Sequence, residues 1–396
     1  MDDPADLTAA GAWRRAFAAA GLVWLACHVG YLAITMVSRM ADPGWIGLRS
    51  ALGTWRQSDT HWYLIIAADG YGPGDDGWSV AERGDERVTA FFPLYPMLIQ
   101  ALDPVLPGGG VASALVVAHA AAFGALVVLY RLADYEFGPR VAQRAAWYLA
   151  AFPMGFFLFL GYNESLFLLL MVGALYAGRR GHWWLAGTLG ALSSATRLFG
   201  VLLIAPLAVE YLRQVGWRPR RVRTDVLGLA LVPLGVVGYS LYCLVEFGNP
   251  LQFSVAQDQW GRRYTFPGEA WLISIRQVAG HGPLDKATLG TLVDAGTILL
   301  AVILLILCVK GPFKFRPDQR YLVVQAGITL VTLMSTEVGG RSMQSAARYA
   351  MEAVAIFLVL ARMGANQMAD RAILMTGAAL QAVFLVVFMA GTFLVA

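Results

Sequence analysis

The chain has 396 residues, of which 58% are hydrophobic and only 14% charged; ordinary soluble domains carry about 25% charged residues. With a mean hydropathy of +0.59, this composition excludes an ordinary soluble enzyme and points to an all-α polytopic membrane protein. The net charge of +4 sits in short loops between apolar runs, a distribution that excludes a nucleic-acid footprint and records membrane orientation.

Taken in chain order, the first apolar run covers roughly 16–37. It is long enough to span a bilayer, and no small-residue cleavage site follows it, so it is expected to stay rather than be removed as a leader. A polar region, 38–110, comes next. Within it Trp45, Leu48, Leu52 and Trp55 recur at three- to four-residue spacing, which predicts an amphipathic helix in the membrane interface. Asp59 follows directly, with His61, Trp62 and Tyr63 behind it. Gly72 to Gly77 read as a turn-rich excursion. Leu94 to Leu106 is apolar but about 13 residues long and interrupted by Pro96, Asp103 and Pro104. It is expected to be a short surface or re-entrant helix.

Ten further spans are predicted, roughly at 111–133, 142–160, 163–178, 183–198, 199–213, 225–246, 289–309, 319–336, 346–362 and 370–395. Several are short for a hydrocarbon core of about 30 Å, which is tolerated where helices line a protein-walled cavity. The total is thus about eleven spans in a single integral-membrane domain, 1–396, with no internal repeat. Arg14 and Arg15 precede the first span, which places the N-terminus in the cytoplasm. The arginine-rich run from Arg213 to Arg223 and the stretch from Lys310 to Arg320 then also fall inside. Two long loops, 38–110 and 247–288, fall outside. Cys27, Cys243 and Cys308 lie in apolar runs and form neither metal spacing nor a disulfide framework.

Several residues could carry chemistry on the outer side. Asp59 is either a solvated loop acid or a general base towards a sugar hydroxyl. Trp62 and Tyr63 suit either a sugar ring or interfacial anchoring, and His61 belongs to the same segment. Glu164, in Gly161-Tyr-Asn-Glu-Ser165, is either an acid favoured by a helix N-terminus, or an acceptor for sugar hydroxyls or a support for the Asp59 loop. Arg197 and Arg348, the latter followed by Tyr349, break the basic bias of the inner side. They could clamp a phosphate or pair with Glu164, Glu337 or Glu352. The loop 257–264 could hold an acceptor glycan or a lipid headgroup, or simply be solvated. The five histidines form no metal-binding array, so a divalent metal has little support and no cofactor is required.

Three ordered strings together resemble the PIG-V type mannosyltransferases of the GT-C superfamily and their bacterial relatives. Asp59 with Ile66-Ala67-Ala-Asp-Gly70-Tyr71 resembles the Trp-Asp…Ile-Ala-x-x-Gly-Tyr pattern of that family, with Ser58 where the tryptophan usually stands. Phe91-Phe-Pro-Leu-Tyr-Pro96 resembles its FFPxxP element, and Gly161 to Ser165 its GYSE-like element. Arg197 and Arg348-Tyr349 resemble family arginines less closely. The resemblance implies a GT-C bundle in a bacterial plasma membrane, with its active site on the outer face. The implied donor is a polyprenyl-phosphate sugar, mannose above all, and the implied base is Asp59. The acceptor stays open: a lipid, a glycan or a protein residue. A GT-C enzyme using another lipid-phosphate sugar and a lipid-linked sugar flippase are the alternatives. Against the flippase, no pair of related halves is visible.

The topology has a direct test. In a Cys-free background, Asp75→Cys and Pro219→Cys should label with a membrane-impermeant thiol reagent from opposite sides of sealed vesicles. Labelling from one side would overturn the orientation.

Overall fold

The computed structural model describes residues 4–40, 53–71, 86–280, 282 and 285–391. The expected interfacial helix through Trp45, Leu48 and Leu52 and the excursion at 72–77 lie outside these residues. The described chain is almost wholly helical, as its apolar runs require. Four helices are long and apolar enough to cross a membrane. They are α1 (Pro4–Met40), α4 (Gly109–Phe137), α12 (Lys286–Val309) and α16 (Gln367–Met389). A fifth span is formed if the 3-10 segment Thr224–Leu231 is joined to α9 (Leu234–Phe247), across a 45° bend. The bend falls at Val232-Pro233, where the proline removes a backbone donor and clashes with the preceding turn.

The other expected spans are shorter helices. These are α5 (Pro139–Ala150), α6 (Glu164–Arg179), α7 (Trp183–Thr196), α8 (Ile204–Gln214), α13 (Arg320–Met334) and α15 (Val354–Met363). None reaches the roughly 20 residues that a lone span needs. Burial explains why they are tolerated. In α6 every residue except Leu169 and Tyr176 is buried, and α15 is buried from Val354 to Val359. A helix apolar all round and enclosed on all sides needs no match to the lipid thickness. Most exposed apolar side chains of the spans lie elsewhere, such as Leu22, Leu25 and Val29 on α1, and Leu299, Leu300 and Ile303 on α12, with Trp184 and Leu185 on α7 and Val331 on α13 among the short helices. The faces that carry them form the lipid-facing shell. Close approach inside it requires glycine: a Cβ on Gly187 of α7 would lie 1.8 Å from the Gly228 carbonyl oxygen.

The polar regions contribute short elements. They are α2 (Asp59–Asp69), α3 (Leu94–Leu102), α10 (Gln252–Gln259) and α11 (Pro267–Gly280). At nine residues, α3 is about 13 Å long, too short to cross. It packs on α2 and α4. A small antiparallel sheet, ordered β1-β2-β3, joins β1 (Arg262–Tyr264) to β2 (Thr336–Val338) and β3 (Arg341–Ser342). Its register pairs Arg262 with Val338 and Arg263 with Glu337 across the first two strands. The last short helix, α14 (Ala346–Tyr349), leads through a 3-10 turn into α15.

Helix α6 is fastened at both ends by ions. At its C-terminus Arg179 is buried, and its Nε lies 2.6 Å from Glu136 of α4. The same guanidinium lies 3.2 Å from Glu210 of α8 and 2.7 Å from Asp318 in the turn before α13. Tyr321 donates its hydroxyl to Glu136 at 2.9 Å, and Arg316 reaches Glu136 at 3.2 Å. A basic last residue on α6 also complements the helix dipole. Partial burial acts to raise the Asp318 carboxyl, but hydrogen bonds from Arg179 and Arg316 overcome it and hold the group at about 2.

Two outcomes follow for unfolding in detergent. Arg179→Met removes the cation shared by Glu136 and Glu210, leaving Glu136 to Arg316 and Glu210 to Arg213, and should cost about 1.5–3 kcal/mol of stability, read as a fall in Tm. Because Asp318 is held below its ordinary value of 3.8, it stabilises the fold in full above that value, and the contribution is lost as pH falls towards about 2. The fall of Tm over this acid window should therefore be shallower in Asp318→Asn than in the wild type.

Candidate active site

Asp59 is the first residue of α2. It is introduced by Ser58, whose φ of 49° lies in the region that favours glycine. Among the described residues only Ser58, Trp217, Met343 and Ser345 combine a side chain with positive φ. Ser58 directly precedes Asp59, and Met343 and Ser345 lie in the turn that leads into α14 and Arg348. Such conformations cost about 1–3 kcal/mol each and persist where the surroundings over-determine them. Here the surroundings are specific. Tyr162 donates its hydroxyl to the Gln57 carbonyl at 3.1 Å, holding the chain just before Ser58. A Cβ on Gly161 would meet the Thr60 methyl at 2.9 Å, so a glycine there lets α2 start against the N-terminus of α6.

On the other side, Asp294 is buried within the apolar helix α12. Its carboxylate accepts the backbone N–H groups of Ala347 at 2.9 Å and Ser345 at 3.2 Å. This caps α14 and aims Arg348 at α2. The sequence reading missed Asp294, although an acid inside an apolar span is a signal of this kind.

Arg348 is the centre of the site. Its Nη2 donates to Asp59 Oδ2 at 3.0 Å and also to the Tyr349 hydroxyl. Its Nε lies 3.1 Å from Glu164 Oε1, an ion-pair distance without hydrogen-bond alignment. The Arg348 side chain is 4% exposed and that of Asp59 31%, so the carboxylate is the partner that a substrate can reach. The rings of Tyr349, Phe157 and Tyr162 lie 4.6, 5.1 and 5.3 Å from the guanidinium. Arg197 lies under the same tyrosine, 4.2 Å from its ring centre. It donates to Glu352 at 2.8 Å and stands 3.9 Å from Glu164. Both arginines are therefore already matched by carboxylates.

These groups open on one cleft, lined by Asp59, Tyr63, Arg197, Arg348 and Tyr349 among others. Helical spacing explains which members of the Asp59 segment reach it. Asp59 and Tyr63 are four residues apart and share a face of α2. Trp62 is turned aside, stacked on Phe91 at 6.1 Å and meeting Trp260 edge-on at 5.5 Å. His61 meets the edge of Trp62 at 6.0 Å. Neither His61 nor Trp62 lines the cleft, and Glu164 lies behind it. Phe91, Phe92, Phe253, Gln257 and Trp260 line the cleft on the side of the two polar regions.

The sequence strings meet here for identifiable reasons. Tyr71 donates its hydroxyl to the Phe91 carbonyl at 2.6 Å, tying Gly70-Tyr71 to the Phe-Phe-Pro string. Gly70 ends α2 with φ 74° and returns its N–H to Ile66 at 2.9 Å. Tyr95 is fully buried, stands edge-on to Tyr63 at 4.9 Å, and donates to the Ala114 carbonyl at 2.9 Å. Asn163 donates to the Thr196 carbonyl at 3.1 Å, setting Arg197 beside the cleft. Among the described residues no three metal-ligating side chains cluster.

No protein-family model matches the sequence, and no curated protein sequence matches it. Among solved structures the chain is similar to ArnT from Cupriavidus metallidurans bound to undecaprenyl phosphate. That likeness has 14% identity and a TM-score of 0.49, and covers 87% of this chain and 75% of that one. It is also similar to the Archaeoglobus fulgidus oligosaccharyltransferase in complex with Zn and sulfate, at 15% identity and a TM-score of 0.45, covering 94% of this chain and 53% of that one. A further likeness is to the same organism's oligosaccharyltransferase AglB with an inhibitory peptide and a dolichol-phosphate, at 13% identity and a TM-score of 0.44, covering 95% of this chain and 56% of that one. The chain thus spans about half the length of the archaeal proteins. At these identities and TM-scores no residue role is carried across.

The charge cluster makes an unequal prediction for its two halves. Arg348→Met strands Asp59 and Glu164 and should lower stability by about 3–5 kcal/mol. Asp59→Asn leaves Arg348 its buried partner Glu164 and should cost about 1 kcal/mol or less. Thermal unfolding of the two variants in one detergent compares them.

Proposed function

We propose that this protein is an inverting membrane glycosyltransferase of the GT-C type. It would move mannose from polyprenyl-phosphate mannose to an acceptor hydroxyl on the non-cytoplasmic face. The observation that carries the reading is the setting of Asp59. Its carboxylate is partly exposed in an aromatic-walled cleft at one end of an apolar bundle, and a buried arginine holds one oxygen. Among the described residues its Oδ1 makes no hydrogen bond to protein, which leaves that oxygen for a substrate. The resemblance of the Asp59, Phe91 and Gly161 strings to the mannosyltransferase family supports the choice of sugar.

The chemistry is a single displacement. The acceptor oxygen attacks the anomeric carbon as Asp59 takes its proton. The bond from that carbon to the phosphate oxygen breaks, and its electron pair leaves with the lipid phosphate. One displacement inverts the centre, so a β-linked donor yields an α-linked product. Arg348 acts through Asp59, holding one carboxylate oxygen in place so that the other is left to take the proton. Glu164 is a positioning residue, because it holds Arg348 from behind. Tyr63 and Tyr349 supply ring faces along the cleft, with Arg197 fixed beneath Tyr349. Trp62 and His61 build the wall rather than touch the sugar. A divalent ion is treated as dispensable, and transfer measured in EDTA should persist.

Asp59→Asn should lower transfer from polyprenyl-phosphate mannose by about 10²–10⁴-fold, with expression and Tm close to wild type. Turnover retained in that variant would sink the role of the base. A panel of polyprenyl-phosphate sugars run beside mannose assigns the donor. Turnover of glucose, arabinose or an aminosugar donor in place of mannose would keep the reaction type and change the sugar.

A further inference from the structure

The donor and its leaving group both carry a phosphate, and the buried arginines are poorly placed to receive it. Arg348 faces Asp59 and Glu164, and Arg197 faces Glu352 and Glu164. Two guanidiniums thus meet three carboxylates. A phosphate entering that corner of the cleft would have to displace a carboxyl group from a buried pair. Breaking such a pair is costly, because it strands a charge away from water.

A third arginine of the cleft is different. We propose that Arg262, on β1, is the phosphate-binding cation of this cleft. Three cations line the cleft: Arg197, Arg348 and Arg262. Among the described residues Arg262 makes no ion pair, and its Nε is buried without a hydrogen-bond partner. The sheet explains why. Side chains alternate between the two faces of a strand, and residues directly opposite in an antiparallel pair share a face. Arg262 is opposite Val338, and Val338 is opposite Arg341. Arg262, Tyr264 and Val338 all line the cleft. The nearby acid Glu337 pairs with Arg263 in the register and so belongs to the other face. The pleat thus presents a guanidinium to the cleft and turns the carboxylate away from it.

The neighbours fit an oxyanion attached to an apolar or sugar body. Gln257, Trp260 and Tyr264 stand beside Arg262 along the cleft. An arginine offers two parallel N–H donors to phosphate oxygens, and such charge-assisted bonds are about twice as strong as neutral ones. A phosphate here shares the cleft with Asp59. The sugar between them would then present its anomeric carbon towards the base, with the leaving oxygen on the far side. That is the in-line arrangement an inverting displacement needs.

This assignment rests on the lipid-phosphate reading above. The same chemistry could belong to the donor or to a phosphate on a lipid acceptor, so the test uses both kinds of probe. Full-length wild-type protein, Arg262→Gln and Arg262→Lys are compared in detergent for binding of decaprenyl phosphate, uncharged decaprenol and phosphatidylglycerol. The expected result is that Arg262→Gln weakens decaprenyl phosphate about tenfold or more, leaves decaprenol unchanged, and flattens the salt dependence, while Arg262→Lys recovers part of the loss. A merely structural role would weaken decaprenol and decaprenyl phosphate together, and that result overturns the proposal. Equal decaprenyl phosphate binding by wild type and Arg262→Gln overturns the Arg262 assignment alone and sends the phosphate to Arg197 or Arg348. Arg262-dependent binding of phosphatidylglycerol without decaprenyl phosphate supports the anion site but places it on the acceptor side. Wild-type protein that binds neither anionic lipid overturns the site, and if it also transfers no sugar from polyprenyl-phosphate donors, the proposed function falls with it.

Discussion

The site depends on one buried guanidinium. Arg348 lies in the interior of an apolar bundle, where an unmatched charge is not tolerated. It is matched by Asp59, which is 289 positions away in sequence, and by Glu164 at the head of α6. That requirement draws three distant segments together: the start of α2, the N-terminus of α6, and the capped turn of α14. The strained residues on either side of the pair, Ser58, Met343 and Ser345, mark where backbone comfort gives way to it. The asymmetry of exposure then decides roles. The arginine is sealed in, and the aspartate is left at the edge of the cleft.

Helix α6 turns this local pairing into architecture. It carries Glu164 at one end and Arg179 at the other, about 24 Å apart for 16 residues. Each terminal charge complements the helix dipole and is tied to other elements. One end organises the cleft, and the other fastens α4, α8 and α13. Because α6 and α15 are buried among other helices, they are free to be short. Polar groups are admitted to the interior only in matched sets. Gln325 shows the same rule, with its side-chain amide donating to the Glu352 carbonyl at 2.9 Å.

Around the cleft, aromatic packing does what charge cannot. Trp62, Phe91 and Trp260 pack as one group, with Arg87 above them at 5.3 Å from the Trp260 ring. This group joins the first polar region to the second. The tyrosine hydroxyls of Tyr71 and Tyr95 pin the intervening string to backbone carbonyls. A cleft walled in this way sets aromatic faces beside charged and polar groups, Asp59, Arg197, Arg262 and Arg348 among them.

Much of this was legible in the residues themselves. Long apolar runs predict α1, α4, α12 and α16, since a bilayer allows few other solutions. The break at Leu94 to Leu106 follows from Pro96 and Pro104 and from its length. Asp59, Tyr63, Arg197, Arg348 and Tyr349 stood out as polar or aromatic groups at the ends of apolar runs, and the fold brings all five to one cleft. Which arginine stays available was not legible. Ion pairing is a property of distance, and nothing in the sequence says that Glu164 and Glu352 neutralise Arg197 and Arg348 while Glu337 is turned away from Arg262. Nor could hydropathy show that Trp62 packs into a wall while Tyr63 lines the cleft, because that follows from the rotation of α2. The sequence by itself determined the helical, membrane-spanning character, through hydrophobic burial and backbone hydrogen bonding that act locally along the chain. Only the tertiary structure decided the partners of each buried charge, because electrostatic matching in an apolar interior is settled among residues hundreds of positions apart.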